Sequence, residues 1–324
     1  MNFRLIFFSI GLIMALISGS MMIPAAVDHH YGETANARTF LICGIGGMYI
    51  GFLLAIGNSH FEKRISTRDG FLMTTLCWFL ASFIASLPFH FSDLNLGFVD
   101  SFFESASGLT TTGATVITGL ETRSPGILLW RSLLVWIGGM GVVGLAIIFL
   151  PFLKVGGMQL FQTESSDKSE KILPRSGQII SGIFITYCIL SLLCATTYHI
   201  LGMSWFDALN HAMTTLGTGG FSTRDSSFMQ YNNPIQWASA LFMTLAGMPL
   251  IMFFRFSLQR KIGIFNDSQL YTYLGIITVP SVLIAIWLIA HGDMNLGDAL
   301  RHSFFNVSSI ITTTGYASVD YLQW

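Results

Sequence analysis

The chain has 324 residues, 52% hydrophobic and only 10% charged, with a mean hydropathy of +0.63. Soluble domains carry about 25% charged residues, so this composition excludes an ordinary water-soluble protein. The net charge of −1 carries no signal about partners; the clustering of charge does.

Uncharged stretches run, in chain order, over Leu5–Val27, Thr39–Phe61, Gly70–Ser92, Ser132–Leu153, Ser176–Phe206, Ser226–Phe254 and Ser268–Gly292. Each is long enough for the roughly 20 residues that a spanning helix needs, so seven spans are expected. The first exceeds the 7–15 residue core of a secretory signal and more spans follow it, so it reads as a retained helix. An eighth run, Ser303–Val319, is short and rich in Ser and Thr and is not counted. The four cysteines, Cys43, Cys77, Cys188 and Cys194, lie inside apolar spans without Cys-x-x-Cys spacing and read as small hydrophobes.

After two leading helices (residues 1–66) the chain repeats a pattern of helix, short half-helix, Thr-Gly loop and helix. In the first repeat (67–153) the elements are Gly70–Ser92, Phe98–Leu109, a loop and Ile127–Leu150. A polar segment (154–175) separates it from the second (176–266), with Ile179–Leu201, Trp205–Leu216, a loop and Pro234–Phe256. The third (267–324) has Leu270–Ala290, Asp298–Ile311 and a loop. Asn95-Leu-Gly and Asn295-Leu-Gly open two of the half-helices. Ser101-Phe-Phe-Glu-Ser-Ala-Ser and Ser303-Phe-Phe-Asn-Val-Ser-Ser stand at equal distances from Gly113 and Gly315. Ser204-x-x-Asp207 and Asn295-x-x-Asp298 have the form of capping boxes.

The loops read Ser107-Gly-Leu-Thr-Thr-Thr-Gly113-Ala-Thr115, Thr214-Thr-Leu-Gly-Thr-Gly219-Gly-Phe-Ser222 and Ile310-Ile-Thr-Thr-Thr-Gly315-Tyr-Ala-Ser318. Their Thr-Gly steps pair Gly113, Gly219 and Gly315, spaced 106 and 96 residues apart. Backbone without secondary structure at membrane depth is costly unless it lines a cavity or binds something. Glycine lets successive carbonyls point the same way, threonine adds oxygens, and a half-helix ending just before the loop aims its negative end at the site, which favours a cation. Neutral oxygens without a carboxylate ring suit a monovalent cation that must shed water and leave again. Glu104, on the first half-helix, reads as a buried partner that braces the loop rather than as an ion ligand.

With the N-terminus inside, eleven Lys and Arg fall on inner segments: Arg4, Lys63, Arg64, Arg68, Lys154, Lys168, Lys171, Arg175, Arg255, Arg260 and Lys261. Arg38, Arg123, Arg131, Arg224 and Arg301 fall outside or just within an outer helix end. This bias places all three loops in the outer half of the membrane. Gly139-Met-Gly141-Val-Val-Gly144 matches the dinucleotide-binding fingerprint but sits inside an uncharged run. Close helix packing is the better reading there, and equally for Gly47-Met-Tyr-Ile-Gly51. No Gly-x-Ser-x-Gly or His-Glu-x-x-His occurs and the histidines make no paired metal spacing, so an enzyme is not expected.

The three loop motifs in this order, with Trp130-Arg-Ser-Leu-Leu-Val-Trp136-Ile-Gly-Gly-Met-Gly141 after the first, resemble the Trk/Ktr/HKT superfamily of potassium transporters, and the TrkH type most closely because of the two leading helices. The resemblance covers essentially the whole chain. It implies an all-α membrane protein whose non-identical helix–pore helix–filter–helix repeats, four in a complete member, surround one pore. The potassium-binding filter would comprise Thr110, Thr111, Thr112 and Gly113; Leu216, Gly217, Thr218 and Gly219; and Thr312, Thr313, Thr314 and Gly315, with Glu104 in support. Plant relatives with a sodium preference carry Ser at the first glycine, so Gly113 implies potassium. Further implications are symport-type potassium uptake, no organic cofactor, a homodimer in the bacterial inner membrane with its N-terminus in the cytoplasm, and no nucleic-acid partner. A cytoplasmic ring of nucleotide-binding subunits would regulate it, and Lys154–Arg175 is one place such a ring could touch. The chain ends nine residues after Gly315, before the second helix of the third repeat and the fourth repeat of complete members. Uptake is therefore expected of the parent protein; the alternative is a non-conducting membrane subunit that assembles only with partners.

Overall fold

The computed structural model describes residues 2–60, 66–153, 176–250, 252–253, 268–292 and 294–324. Among these there is no strand. The helices are α1 (Phe3–Ser20), α2 (Met22–Tyr31), α3 (Thr34–Gly57), α4 (Thr67–Phe91), α5 (Phe98–Leu109), α6 (Pro125–Leu153), α7 (Ser176–Ile200), α8 (Trp205–Leu216), α9 (Asn233–Ala246), α10 (Ser268–His291) and α11 (Leu296–Ile311). Among the described residues five stretches are long and apolar enough to cross a membrane: Phe3–Tyr31, Thr34–Gly57, Arg68–Phe91, Ile180–Ile200 and Ser268–His291. The fourth uncharged run lies in the 29-residue α6. The inner segment Lys154–Arg175, and Lys63, Arg64, Arg255, Arg260 and Lys261 of the charge count, lie outside the described residues.

The sixth run departs from expectation. Instead of one helix over Pro234–Phe256, α9 spans 14 residues and stops at Ala246. It begins at Asn233, within one residue of the expected start, because Asn232 caps it, its side-chain oxygen accepting the Ile235 N–H at 3.0 Å, with Pro234 in the first turn. It ends early because Pro249 has no N–H to give the preceding turn. The Met248 N–H closes a tight turn on the Leu245 carbonyl (3.1 Å), and the Tyr273 hydroxyl donates to the Thr244 carbonyl at 2.8 Å. The break thus keeps the Thr244 and Leu245 carbonyls paired, as membrane depth requires of backbone acceptors. A similar device interrupts the first span at Met21, between α1 and α2: Pro24 cannot donate to the Ser20 carbonyl.

The chain forms two compact units. The first holds residues 1–109, 123–134 and 141–180; the second holds 110–122, 135–140 and 181–324. In the first unit α1 packs on α3 at a crossing of small residues. A β-carbon on Gly11 would lie 2.6 Å from the Gly51 carbonyl oxygen, and one on Gly51 would lie 2.7 Å from that of Gly11. Gly47 faces Ser18 in the same groove, so the Gly47-x-x-x-Gly51 step is a helix contact as read. Replacing Gly51 with Leu is expected to lower the melting temperature of the detergent-solubilised protein, from overpacking of about 1–3 kcal/mol. An unchanged melt would refute the close crossing. At the far end of the leading helices the fully buried Asp28 carboxylate accepts the Gly126 N–H (2.6 Å) and the Ser124 hydroxyl (3.3 Å). It caps α6 from another segment of chain, where the helix dipole favours a negative charge.

The second unit is built round Tyr187, Tyr198, Met203, Phe228, Phe242, Met243, Phe305 and Tyr316, all buried. Cys77 and Cys194 are buried and Cys43 and Cys188 half-buried, all as free thiols. This matches their reading as small hydrophobes.

Candidate functional site

Three helices that each lead into a Thr-Gly loop are too short to cross a membrane. α5 and α8 have 12 residues and α11 has 16, against about 20 for a span. Ser204 caps α8, its hydroxyl accepting the Asp207 N–H at 3.0 Å, and Asn295 caps α11, accepting the Asp298 N–H at 2.9 Å. Arg301, with Asn295, holds the exposed Asp298 carboxyl below the usual carboxylate range. Both caps follow the spacing read from the sequence.

The segments after the three short helices share one backbone pattern. The last helical residues are Leu109, Leu216 and Ile311. Two residues on, a threonine has positive φ: Thr111 (55°), Thr218 (53°) and Thr313 (59°). Two further on, a glycine does: Gly113 (78°), Gly220 (66°) and Gly315 (86°). The segments therefore correspond as Thr110-Thr-Thr-Gly113, Gly217-Thr-Gly-Gly220 and Thr312-Thr-Thr-Gly315. The second is displaced by one residue from the pairing of Gly113 with Gly219 that the Thr-Gly step suggests. Gly220 takes the glycine position, and Gly219 takes that of Thr112 and Thr314.

Side chains corroborate this register. Thr110 and Thr112 pair their hydroxyls at 2.8 Å, and so do Thr312 and Thr314. The matching positions in the second segment are Gly217 and Gly219. There β-carbons would lie 2.7 and 2.5 Å from the Cγ1 of Val135 on α6, which fills the space that threonine side chains take in the other two. Gly139, one α6 turn further, would place a β-carbon 3.1 Å from the Gly217 Cα. The Gly139-x-Gly141 step thus serves close packing, not nucleotide binding.

The segments abut in sequence. A β-carbon on Gly113 would lie 2.0 Å from the Gly219 carbonyl oxygen, and one on Gly220 would lie 1.9 Å from that of Thr314. Each positive-φ glycine therefore meets the carbonyl just before the next segment's glycine. At Gly315 the same position has nothing within 4 Å among the described residues. Amide hydrogens turn back onto the short helices: Thr218 on Thr215 (3.2 Å), Gly219 on Thr214 (3.0 Å), Thr313 on Ile310 (3.1 Å) and Thr314 on Ser309 (2.9 Å). The donors are spent towards the helix ends, and the carbonyl oxygens of Gly219 and Thr314 lie towards the neighbouring segments. Such an arrangement can present neutral oxygens to a cation and has no group suited to acid–base or nucleophilic chemistry.

Nine residues before each glycine stands a buried polar side chain: Glu104, His211 and Asn306. His211 Nδ1–H donates to the Asp207 carbonyl (2.8 Å), which leaves Nε2 to accept the Ser222 hydroxyl at 3.0 Å. Asn306 donates to the Ser318 hydroxyl (3.0 Å) and accepts its N–H (3.3 Å). Both hold the chain as it leaves its loop. Glu104 lies in the first unit, where the Arg131 Nε donates to it at 2.8 Å with both side chains excluded from solvent. Beyond the loops, the Asp225 carboxylate accepts the N–H groups of Gly119 (2.7 Å) and Leu120 (3.1 Å), while its own N–H donates to Glu121 (3.0 Å). Phe228 N–H reaches the Ala317 carbonyl at 3.0 Å. The twelve loop residues singled out from the sequence all fall on these segments or on the residue that ends a short helix. Gly220, His211, Asn306, Val135 and Tyr316 escaped that reading. The equal lengths of Phe98–Leu109 and Trp205–Leu216, each followed four residues later by a glycine, were the signal for Gly220.

Residues 38–324 match the TrkH family, described as cation transport protein. Over 256 residues the chain is 41% identical to the Trk system potassium uptake protein TrkI of Halomonas elongata, covering 78% of this chain and 52% of that protein. It is 34% identical to TrkH of Escherichia coli K12 along its whole length, covering 68% of the relative. The crystal structure of the potassium transporter TrkH from Vibrio parahaemolyticus matches with a TM-score of 0.90 at 30% identity, over all of this chain and 67% of that one. The chain thus spans between about half and two thirds of the relatives it resembles.

Proposed function

Because the chain belongs to the TrkH family of cation transport proteins, we propose that it supplies part of a potassium-selective path across the membrane. The ion would pass between the carbonyl oxygens of Thr110–Gly113, Gly217–Gly220 and Thr312–Gly315. The observation that carries this reading is the stepwise fit of Gly113 against the Gly219 carbonyl and of Gly220 against the Thr314 carbonyl. Three segments of different sequence share one backbone path and touch in one order, as strands around a common axis do. The names of the relatives, potassium uptake proteins, agree with the cargo. The eleven-to-five bias of Lys and Arg supports a cytoplasmic N-terminus in the inner membrane, with the loops on the outer side. Symport, homodimerisation and control by a nucleotide-binding ring at Lys154–Arg175 belong to the same reading and rest on the family likeness. Glu104 is its brace, through Arg131.

The test is Gly113→Ser. A β-carbon at this positive φ, pressed on the Gly219 carbonyl, must push neighbouring oxygens out of place. The preference for potassium over sodium, measured as competing uptake in cells that lack other potassium systems, is expected to fall by roughly tenfold, since strain of 1–3 kcal/mol is at stake. Retained selectivity would overturn the reading.

A further inference from the structure

The residue after each positive-φ glycine differs: Ala114, Phe221 and Tyr316. Of the three side chains, only that of Tyr316 ends in a hydroxyl. The ring is 1% exposed and packs on Phe228, centroid to centroid 4.4 Å. Its hydroxyl reaches the second repeat's short helix, bonding to the Thr214 hydroxyl and lying 3.2 Å from the His211 carbonyl and 3.5 Å from the Thr215 hydroxyl. Its carbonyl accepts the Ser309 hydroxyl of its own short helix at 2.7 Å. Tyr316 is therefore held at both ends, by two different repeats, one residue after Gly315.

We propose that Tyr316 is a positioning residue that sets the distance between the third loop segment and the second, and with it the size of ion accepted. This rests on the three segments forming an ion filter. The oxygens that would meet the ion lie on a backbone that has no ladder of strand hydrogen bonds to fix its spacing. Backbone ties of the third segment to the second repeat lie one residue further on, where the Phe228 N–H meets the Ala317 carbonyl (3.0 Å) and the Ala317 N–H meets the Ser227 hydroxyl (3.3 Å). The Tyr316 hydroxyl adds a tie to a helix of another repeat, α8. The tie is not needed to satisfy its partners. Thr214 Oγ1 also reaches the Asn210 carbonyl (3.1 Å), and Thr215 Oγ1 reaches the His211 carbonyl (2.6 Å) and the Tyr198 hydroxyl (3.0 Å). Removing the Tyr316 oxygen strands no buried donor, and the ring keeps its packing. The effect then falls on spacing more than on folding.

The experiment compares Tyr316→Phe with Tyr198→Phe, which removes a hydroxyl from the same buried cluster without touching a loop segment. Flux of potassium and of sodium is measured in proteoliposomes made from equal amounts of monodisperse protein. Tyr316→Phe is expected to lower the potassium-to-sodium ratio by up to roughly tenfold, the scale of one hydrogen bond, while Tyr198→Phe keeps the wild-type ratio. A wild-type ratio in Tyr316→Phe overturns the proposal and leaves the filter reading standing, as does an equal loss in both variants, which marks the cluster as structural. A wild-type protein that does not distinguish the ions overturns the filter reading and this proposal with it.

Discussion

Alanine at Gly220 is expected to abolish potassium uptake, while alanine at Gly219 leaves a substantial fraction. The two glycines are adjacent and each would gain only a methyl group, so the contrast isolates geometry. Gly220 has φ of 66°, where an L-residue pays about 1–2 kcal/mol. Its β-carbon would also lie 1.9 Å from the Thr314 carbonyl oxygen, a backbone atom that moves only if the third segment moves. At Gly219 the nearest obstacles are the two methyl groups of Val135, at 2.5 and 2.9 Å, side-chain atoms that can shift without moving another segment's backbone. With tenfold in rate per 1.36 kcal/mol, the Gly220 variant should lose at least about tenfold more uptake than the Gly219 variant. Rubidium influx at matched membrane levels measures it. The reverse order would restore the pairing of Gly113 with Gly219 and refute that of Gly113 with Gly220.

Glu104→Ala is expected to cost about 3–5 kcal/mol of folding stability, the largest effect of a single substitution outside the loops. The loss comes from the charge left behind. Arg131 is 1% exposed, and without the carboxylate its guanidinium is a buried charge with its ion-pair partner removed. Glu104→Gln should fall between, keeping a hydrogen-bond acceptor but no charge. A pair of methionines, Glu104→Met with Arg131→Met, should recover most of the stability, because a buried ion pair often does no better than apolar side chains of similar volume. Thermal melts followed by size-exclusion chromatography in detergent give the order. Uptake by the double variant decides the role: retained potassium selectivity marks Glu104 as a brace, and lost selectivity in a folded protein would make the carboxylate an ion ligand.

The short helices were legible almost to the residue. α5 and α8 end where the hydrophobic phase, the caps and the hydroxyl-rich runs place them, because these are local signals within a dozen residues. The spans follow from the solvent, since only a long uncharged stretch can sit in hydrocarbon. The break after Ala246 was missed although Gly247-Met-Pro249 spells it, because the apolar run continues through it and hydropathy does not register a missing N–H. The second segment's register is not legible in the sequence for a different reason. Gly219 and Gly220 are consecutive, either can take positive φ, and nothing local distinguishes them.

Composition, span length, charge bias and the three Thr-Gly motifs, properties of the chain read locally, thus determined that this is a helical membrane protein with three related loops. Only the tertiary structure decided which glycine faces a carbonyl, that Val135 replaces two threonine side chains, that Arg131 answers Glu104 and that Tyr316 ties the third segment to α8. Each of these depends on atoms brought together from distant parts of the sequence, where packing leaves room for a single arrangement.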